Sequence, residues 1–188
     1  PVTFDQRRQF EQRLQRVDAQ HAVGAEKRVD RLVGAGHRAG VRGGQILADF
    51  GADVIKLEPP GQGDPMREWG REKADGKSLW WPVLARGKKS VTINLREPAG
   101  QALAKRLIAQ ADILIENFRP GTLEKWGMGP AELKKLNPEL IVARVSGYGQ
   151  TGPYAAQPGF ASVCEGFAGF RHVNGFPDRP PVRPNLSM

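Results

Sequence analysis

From residue 44 onward, apolar positions follow two alternating rhythms. "GQILADFGA" (44–52) sets Ile46, Leu47 and Phe50 at helical spacing and ends at Gly51, which predicts a helix. "DVIKLEPP" (53–60) is a short apolar run stopped by prolines, which predicts a strand. A polar loop, "GQGDPMREWGREKADGKS", and a short apolar segment, "LWWPVLARG", lead to the β-branched strand "KSVTINL" (89–95). "EPAGQALAKRLIAQA" (97–111) predicts a helix with Pro98 in its first turn. "DILIENF" (112–118) predicts a strand, "GPAELKKLN" (129–137) a short helix, and "ELIVARVSGYG" (139–149) another strand. After Gly147 the chain is rich in Gly and Pro, with a helix expected within "ASVCEGFAGFRHV" (161–173). Strands alternating with helices mean βαβ units, a parallel sheet and the α/β class.

Residues 1–43 read differently. They are rich in Arg, Gln, Ala and Gly and show no sustained apolar face. The expectation is an arm that is disordered or weakly helical, followed by a sheet domain over residues 44–188. The "GAGHRAG" run (34–40) has the spacing G-x-G-x-x-x-G, and no strand is evident before it, so it is read as flexible filler rather than a nucleotide loop.

Composition narrows the picture modestly. A chain of 188 residues suits one domain or one and a half. It has no run of about 18 apolar residues, so no membrane span is expected, and its start has no apolar leader core. With the single Cys164, these features point to a reducing cytoplasm. The net charge is +8, and residues 1–42 alone carry nine basic against five acidic side chains. That balance favours anionic partners such as phosphates, nucleotides or nucleic acid without choosing among them.

The informative residues fall at strand ends, where open parallel sheets hold ligands. "ENFRPG" follows one strand, and "EPPGQGD", "NLREP" and "SGYGQTGP" follow others. In "ENFRPG", Asn117 offers an amide, Phe118 a ring and Arg119 a guanidinium that grips phosphate in bidentate fashion. The set suits a phosphorylated ligand with an aromatic head. It also suits a plain turn, with Asn capping, Phe in the core and Arg solvated.

Five blocks occur in order: "GQILADFGADVIKLEPPGQGDPMR", "GKKSVTINLREPAG", "ADILIENFRPGTLEKWGM", "LNPELIVARVSGYGQTGPY" and "GFPDRPPVRPNLSM". Together they resemble the class III CoA-transferase family, which includes formyl-CoA and carnitine CoA-transferases. The resemblance runs from about Gly44 to Met188. It implies a Rossmann-like parallel sheet with flanking helices that binds coenzyme A, as free CoA or acyl-CoA. It also implies that Ile93, Asn94, Leu95 and Arg96 contact the nucleotide part, that Asn117, Phe118 and Arg119 surround it, and that Lys125 meets phosphate. Gln157, Pro158, Gly159 and Phe160 would complete the pocket near the thioester arm. The other partner implied is a small carboxylic acid, and family members assemble as interlocked homodimers. No metal is implied, and no His, Cys, Asp or Glu cluster has metal spacing.

Two departures from the family stand out. The family's first strand and its following loop have no counterpart in "EKRVDRLVGAGHRAGVRG", so the sheet is expected to be incomplete. The Arg, Ala and Gly excess there resembles GC-rich coding read out of frame, with the frame restored near Gly43. The nucleophilic Asp of the family directly follows the stretch matching "PPVRPNLSM", so no catalytic residue is assigned within residues 1–188. The family's C-terminal half has no counterpart either, and the expectation is an inactive CoA-binding fragment. In that chemistry the Asp carboxylate attacks the thioester to give a mixed anhydride, and CoA thiolate returns to form an aspartyl-CoA thioester. The incoming acid then takes over the carbonyl, releasing CoA thiolate, and CoA finally attacks the new anhydride to give the acyl-CoA product and free the Asp. An acidic residue found near the nucleophile in some members corresponds to Ala161.

The remaining candidates favour bland roles. Cys164 is expected to be a structural thiol, and His172 and Glu165 lack a geometry that would make them acid–base groups. Trp80, Trp81 and Trp126 are expected in the core or at an interface, and Lys88 and Lys89 on a solvated loop. The alternative to the CoA reading is a basic nucleic-acid-associated or nucleotide-binding protein without acyl transfer. It lacks aromatic interleaving or a recognition motif.

Overall fold

The computed structural model describes residues 30–36 and 38–183. Five parallel strands form one sheet, β1 (Arg31–Ala35), β2 (Asp53–Glu58), β5 (Lys88–Thr92), β6 (Ile113–Glu116) and β7 (Ile141–Arg144), in the spatial order β5-β2-β1-β6-β7. A two-stranded antiparallel ribbon, β3 (Lys73–Ala74) with β4 (Lys77–Ser78), sits in the loop after β2. The helices are α1 (Arg38–Asp49), α2 (Trp80–Leu84), α3 (Pro98–Ile108), α4 (Thr122–Lys125), α5 (Pro130–Leu136) and α6 (Ala161–Phe167), and a 3-10 turn covers Pro65–Glu68. The α/β class and the parallel sheet agree with the sequence reading.

The expectation that the sheet lacks its first strand is corrected. β1 is the central strand, paired with β2 from Arg31↔Asp53 to Ala35↔Leu57 and with β6 from Leu32↔Ile113 to Ala35↔Glu116. Leu32, Val33 and Ala35 are buried, as a strand covered on both faces requires. The boundary expected at residues 43/44 falls inside α1, which starts at Arg38. "GAGHRAG" therefore spans a strand end, a turn at Gly36 and a helix start, with His37 outside the described residues. Residues 1–29 of the arm expected over 1–43 also lie outside them.

The two faces of the sheet are packed differently. On one, Val33, Ala35, Leu57 and Leu114 meet Ala104 and Ile108 of α3 and Leu133 of α5 in an aliphatic core. Alternation along β2 sends Lys56 and Glu58 to the other face. There Leu32, Val54 and Ile115 pack with Leu47 and Ala48 of α1. The helical face of α1 also differs from expectation. Val41 and Gly44 are buried, whereas Ile46 and Phe50 are exposed.

Candidate functional site

The chain builds outward from β1 to β2 and β5, then returns to the far side of β1 with β6 and β7. The strand order thus reverses between β1 and β6, and the crevice beyond their carboxyl ends is where such sheets hold ligands. Gly36 leaves β1 with φ +97°, and a Cβ there would lie 1.9 Å from Asn117 Oδ1. Glycine at this turn therefore lets the Asn117 amide lie across the end of the central strand.

A cavity of about 650 Å³ opens over this end of the sheet. Leu57, Glu58, Pro59 and Pro60 line it from the end of β2, and Ile93, Asn94, Leu95 and Arg96 from the end of β5. Phe118, Arg119, Thr122 and Trp126 close it from β6 and α4, and Gly36 lies between. The apolar lining is a slot for a flat or chain-like group. Arg96 and Arg119 are exposed at its edge.

Short hydrogen bonds fix the walls. Phe118 N donates to Glu116 Oε2 at 2.7 Å, and Arg144 Nε donates to Glu116 Oε1 at 2.7 Å. The rest of the Arg144 fork grips Glu124 at 2.6 and 3.2 Å. That hydrogen bond from Arg144 holds the Glu124 carboxyl below its ordinary pKa. The Phe118 and Trp126 rings meet edge to face, with centroids 5.3 Å apart and planes at 78°. On the opposite wall Arg96 N donates to Asn94 Oδ1 at 3.1 Å, and Gln101 Nε2 donates to Leu95 O at 3.1 Å.

Glu58 is 2% exposed. Its carboxylate accepts from Asp64 N (2.9 Å), Arg67 Nε (2.9 Å), Arg67 Nη2 (3.0 Å) and Ser90 Oγ (2.6 Å). Burial pushes this carboxyl up. The hydrogen bonds from Arg67, Ser90 and Asp64, with the nearby Lys56 charge, outweigh it and leave the pKa below the ordinary 4.5.

Of the residues expected from sequence, Ile93, Asn94, Leu95, Arg96, Phe118 and Arg119 line one cavity, and Asn117 lies at its edge against Gly36. Lys125 is exposed at the end of α4 and is not among the lining residues. Gln157, Pro158, Gly159 and Phe160 are exposed just before α6 and do not line it either. Sequence reasoning did not assign Gly36, Leu57, Thr122 or Trp126 to the site, and it placed "EPPGQGD" at a ligand-holding strand end without assigning Glu58, Pro59 or Pro60 to it. The "EPP" at a strand end and the four-residue spacing of Phe118, Thr122 and Trp126 were the available signals.

The other candidates divide. Trp126 is a pocket wall rather than core alone, Trp80 is exposed, and Trp81 lies beneath the Arg67 guanidinium at 3.9 Å. Lys88 is half-buried at the start of β5 rather than on a loop, with Nζ donating to Leu84 O, while Lys89 is exposed and pairs with Asp53 at 2.7 Å. The Cys164 thiol donates to Gly147 O at 3.3 Å. Glu165 is buried, with Arg171 Nε at 3.8 Å. Among the described residues, no helix is long and apolar enough to cross a membrane.

A family model for CoA-transferase family III matches residues 32–188. The succinyl-CoA–D-citramalate CoA-transferase of Chloroflexus aurantiacus is 64% identical over 145 residues, which are 77% of this chain and 36% of that protein. The succinate–glutarate CoA-transferase of Agrobacterium fabrum is 43% identical over 156 residues, 80% of this chain and 39% of that one. The crystal structure of a CaiB/BaiF family protein from Brucella suis matches at TM-score 0.75 and 39% identity, covering 84% of this chain and 43% of that one. The chain spans about a third of the length of the curated relatives it matches.

Proposed function

Because the chain belongs to CoA-transferase family III, we propose that its strand-end cavity holds the CoA portion of an acyl-CoA. On this reading the whole protein moves CoA between the thioester of a dicarboxylic acid and a second carboxylic acid. The relatives' names support that class: succinate, citramalate, malate, glutarate and oxalate are dicarboxylic acids, and the acetyl-CoA:oxalate CoA-transferase pairs one of them with a monocarboxylic acid. The observation that supports the binding reading is the convergence of Ile93 to Arg96 and of Phe118 and Arg119, from two different strands, on one cavity at the reversal of strand order.

The residues divide the work by chemistry. Arg96 and Arg119 offer fixed forks of N–H donors to phosphate at the rim. Phe118, Trp126, Leu57 and Pro59 receive the apolar faces of the ligand, and Asn94 and Thr122 supply hydrogen bonds within reach of its polar groups. Lys125 attracts the polyphosphate from outside the slot, and residues 157–160 are assigned to the thioester arm by family resemblance. The resemblance assigns the nucleophilic Asp to the position after the stretch matching "PPVRPNLSM", so no residue among 1–188 is given that role. Glu58 does not replace it, because its carboxylate is engaged by four donors. A cytoplasmic location goes with CoA thioester chemistry. Homodimer assembly belongs to the same reading, supported by Phe160, Phe167, Val173 and Phe176, which are 69%, 64%, 77% and 70% exposed.

The test uses Trp126 as its own probe. CoA should quench tryptophan emission to saturation, and Trp126→Phe should remove most of that change. Quenching that does not saturate, or that is equal in Trp126→Phe, would contradict the assignment.

A further inference from the structure

Glu58 lines the cavity, yet its carboxylate turns away from the aliphatic core into a closed set of charged and polar groups. It ties residues 64 and 67 back to the strand they leave, and it ties β2 to β5 through Ser90. Its backbone oxygen accepts from Ile93 N at 2.9 Å, so the same residue also holds the start of the "INLR" wall. Asp64, fully buried, caps the following turn through Met66 N at 2.8 Å and pairs with the buried Lys56 Nζ at 2.6 Å. Arg67 completes the closure by stacking on Trp81. The approach is tight. Gly63 has φ +68°, and a Cβ there would sit 2.7 Å from Glu58 Oε2 and 3.0 Å from Arg67 Nε.

Pro59 and Pro60 are the first residues of the loop that this closure shapes, and they form one wall of the slot. Ile93 through Arg96 form the facing wall. Both walls are thus referenced to Glu58, one through its side chain and one through its backbone. We infer that Glu58 and Arg67 are positioning residues that set the width of the CoA slot, without touching the ligand through their charged groups. The inference rests on the CoA reading above. A guanidinium is required, because only its planar fork gives Glu58 two parallel bonds while presenting a face to Trp81. Lysine keeps the charge and loses both features.

The test compares Arg67→Ala, Arg67→Lys and the milder Ser90→Ala, which removes one of the four bonds and covers the case in which a stronger variant fails to fold. Two quantities are measured well below each variant's melting temperature: CoA affinity by calorimetry, and hydrogen exchange of residues 60–69. Arg67→Ala and Arg67→Lys should each weaken CoA by about tenfold or more, since charge-assisted bonds hold the preorganised wall. The loop amides should exchange faster in both, and Ser90→Ala should show the same changes on a smaller scale. Lower melting temperatures with unchanged CoA affinity would show a purely structural role and overturn the inference. No CoA binding by the unsubstituted chain would overturn the functional reading and this inference with it. Binding by the unsubstituted chain that is equal in both Arg67 variants overturns the inference alone.

Discussion

Two glutamates end two strands of the same sheet, Glu58 on β2 and Glu116 on β6. Both are almost fully buried, and both are gripped by an arginine from later in the chain. Their settings differ. Glu58 faces the α1 side of the sheet, and all four of its donors come from the loop after β2 or from β5. Beneath it lies a second buried pair, Lys56 with Asp64. Glu116 faces the aliphatic side, holds the Phe118 amide directly, and shares its arginine with Glu124, which is 44% exposed. Both glutamate clusters reach solvent through one partner, Arg67 at 38% and Glu124 at 44% exposed, but the Lys56–Asp64 pair at the β2 end is sealed, at 5% and 0%. Sealing makes the β2 end intolerant of losing a single partner, because a charge left behind has no water to replace it. At the β6 end, loss of Arg144 leaves the buried Glu116 with the Phe118 amide still donating, and only Glu124 exposed to water.

The largest effect should come from opening the sealed end. Lys56→Met strands the Asp64 carboxylate in the interior and should cost about 3–5 kcal/mol in urea unfolding. Lys56→Met with Asp64→Asn removes both charges and should recover part of the loss. A double variant no more stable than Lys56→Met would break the account. At the β6 end, Arg144→Met leaves Glu116 with the Phe118 amide still donating, so the cost should be smaller, about 1.5–3 kcal/mol for the lost charge-assisted bond. Equal costs at the two ends would erase the contrast.

Titration should sharpen the contrast further. The Glu58 carboxyl lies below its ordinary 4.5 in the folded protein, so the unfolded chain takes up its proton first as pH falls. Its contribution is therefore full above pH 4.5 and declines below it, through the folded pKa. Melting curves in acid should show that loss, and Glu58→Gln should lack it. Lys88, on the same side of the sheet, acts in the opposite range. Burial first, then the charges of Lys56 and Arg86, push its ammonium from 10.5 to about 8. Between those values the unfolded chain binds the extra proton, so stability should rise with pH. Lys88→Met should be more stable than wild type at pH 7 and lose that advantage by about pH 10.5. The smallest effect belongs to the exposed Lys135–Glu132 pair at 2.8 Å. Its removal should change unfolding free energy by only about 0.3–0.5 kcal/mol, because water and salt screen it.

The same contrast explains what the sequence made legible. "ENFRPG" announced the β6 end because its amide, ring and cation follow an aliphatic run directly. The β2 end was half visible: "EPP" stood at a strand end, but Lys56 and Glu58 are charged and would ordinarily mark a solvated face. Their partners lie at Asp64, Arg67 and Ser90, too far along the chain for local spacing to connect them. β1 was hidden for a different reason. "RLVGA" is five residues, buried on both faces, so it shows no alternation, and it lies between the charged "EKRVD" and the glycine-rich "GHRAGVRGG". Its stability comes from β2 and β6 on either side, which only the folded register brings together. Lys125 and residues 157–160 were assigned by resemblance alone, and the cavity is lined without them.

The claim on which all of this turns is that the slot over β1, β2, β5 and β6 is a CoA site, and calorimetric titration tests it most directly. CoA, dephospho-CoA and pantetheine are each titrated into the unsubstituted chain, Arg96→Ala and Arg119→Ala. The account predicts that CoA binds in a one-to-one ratio, that pantetheine binds more weakly, and that each arginine variant loses about tenfold or more for CoA but little for pantetheine. CoA affinity that is equal across the three proteins, or no stronger than that of pantetheine, would contradict it.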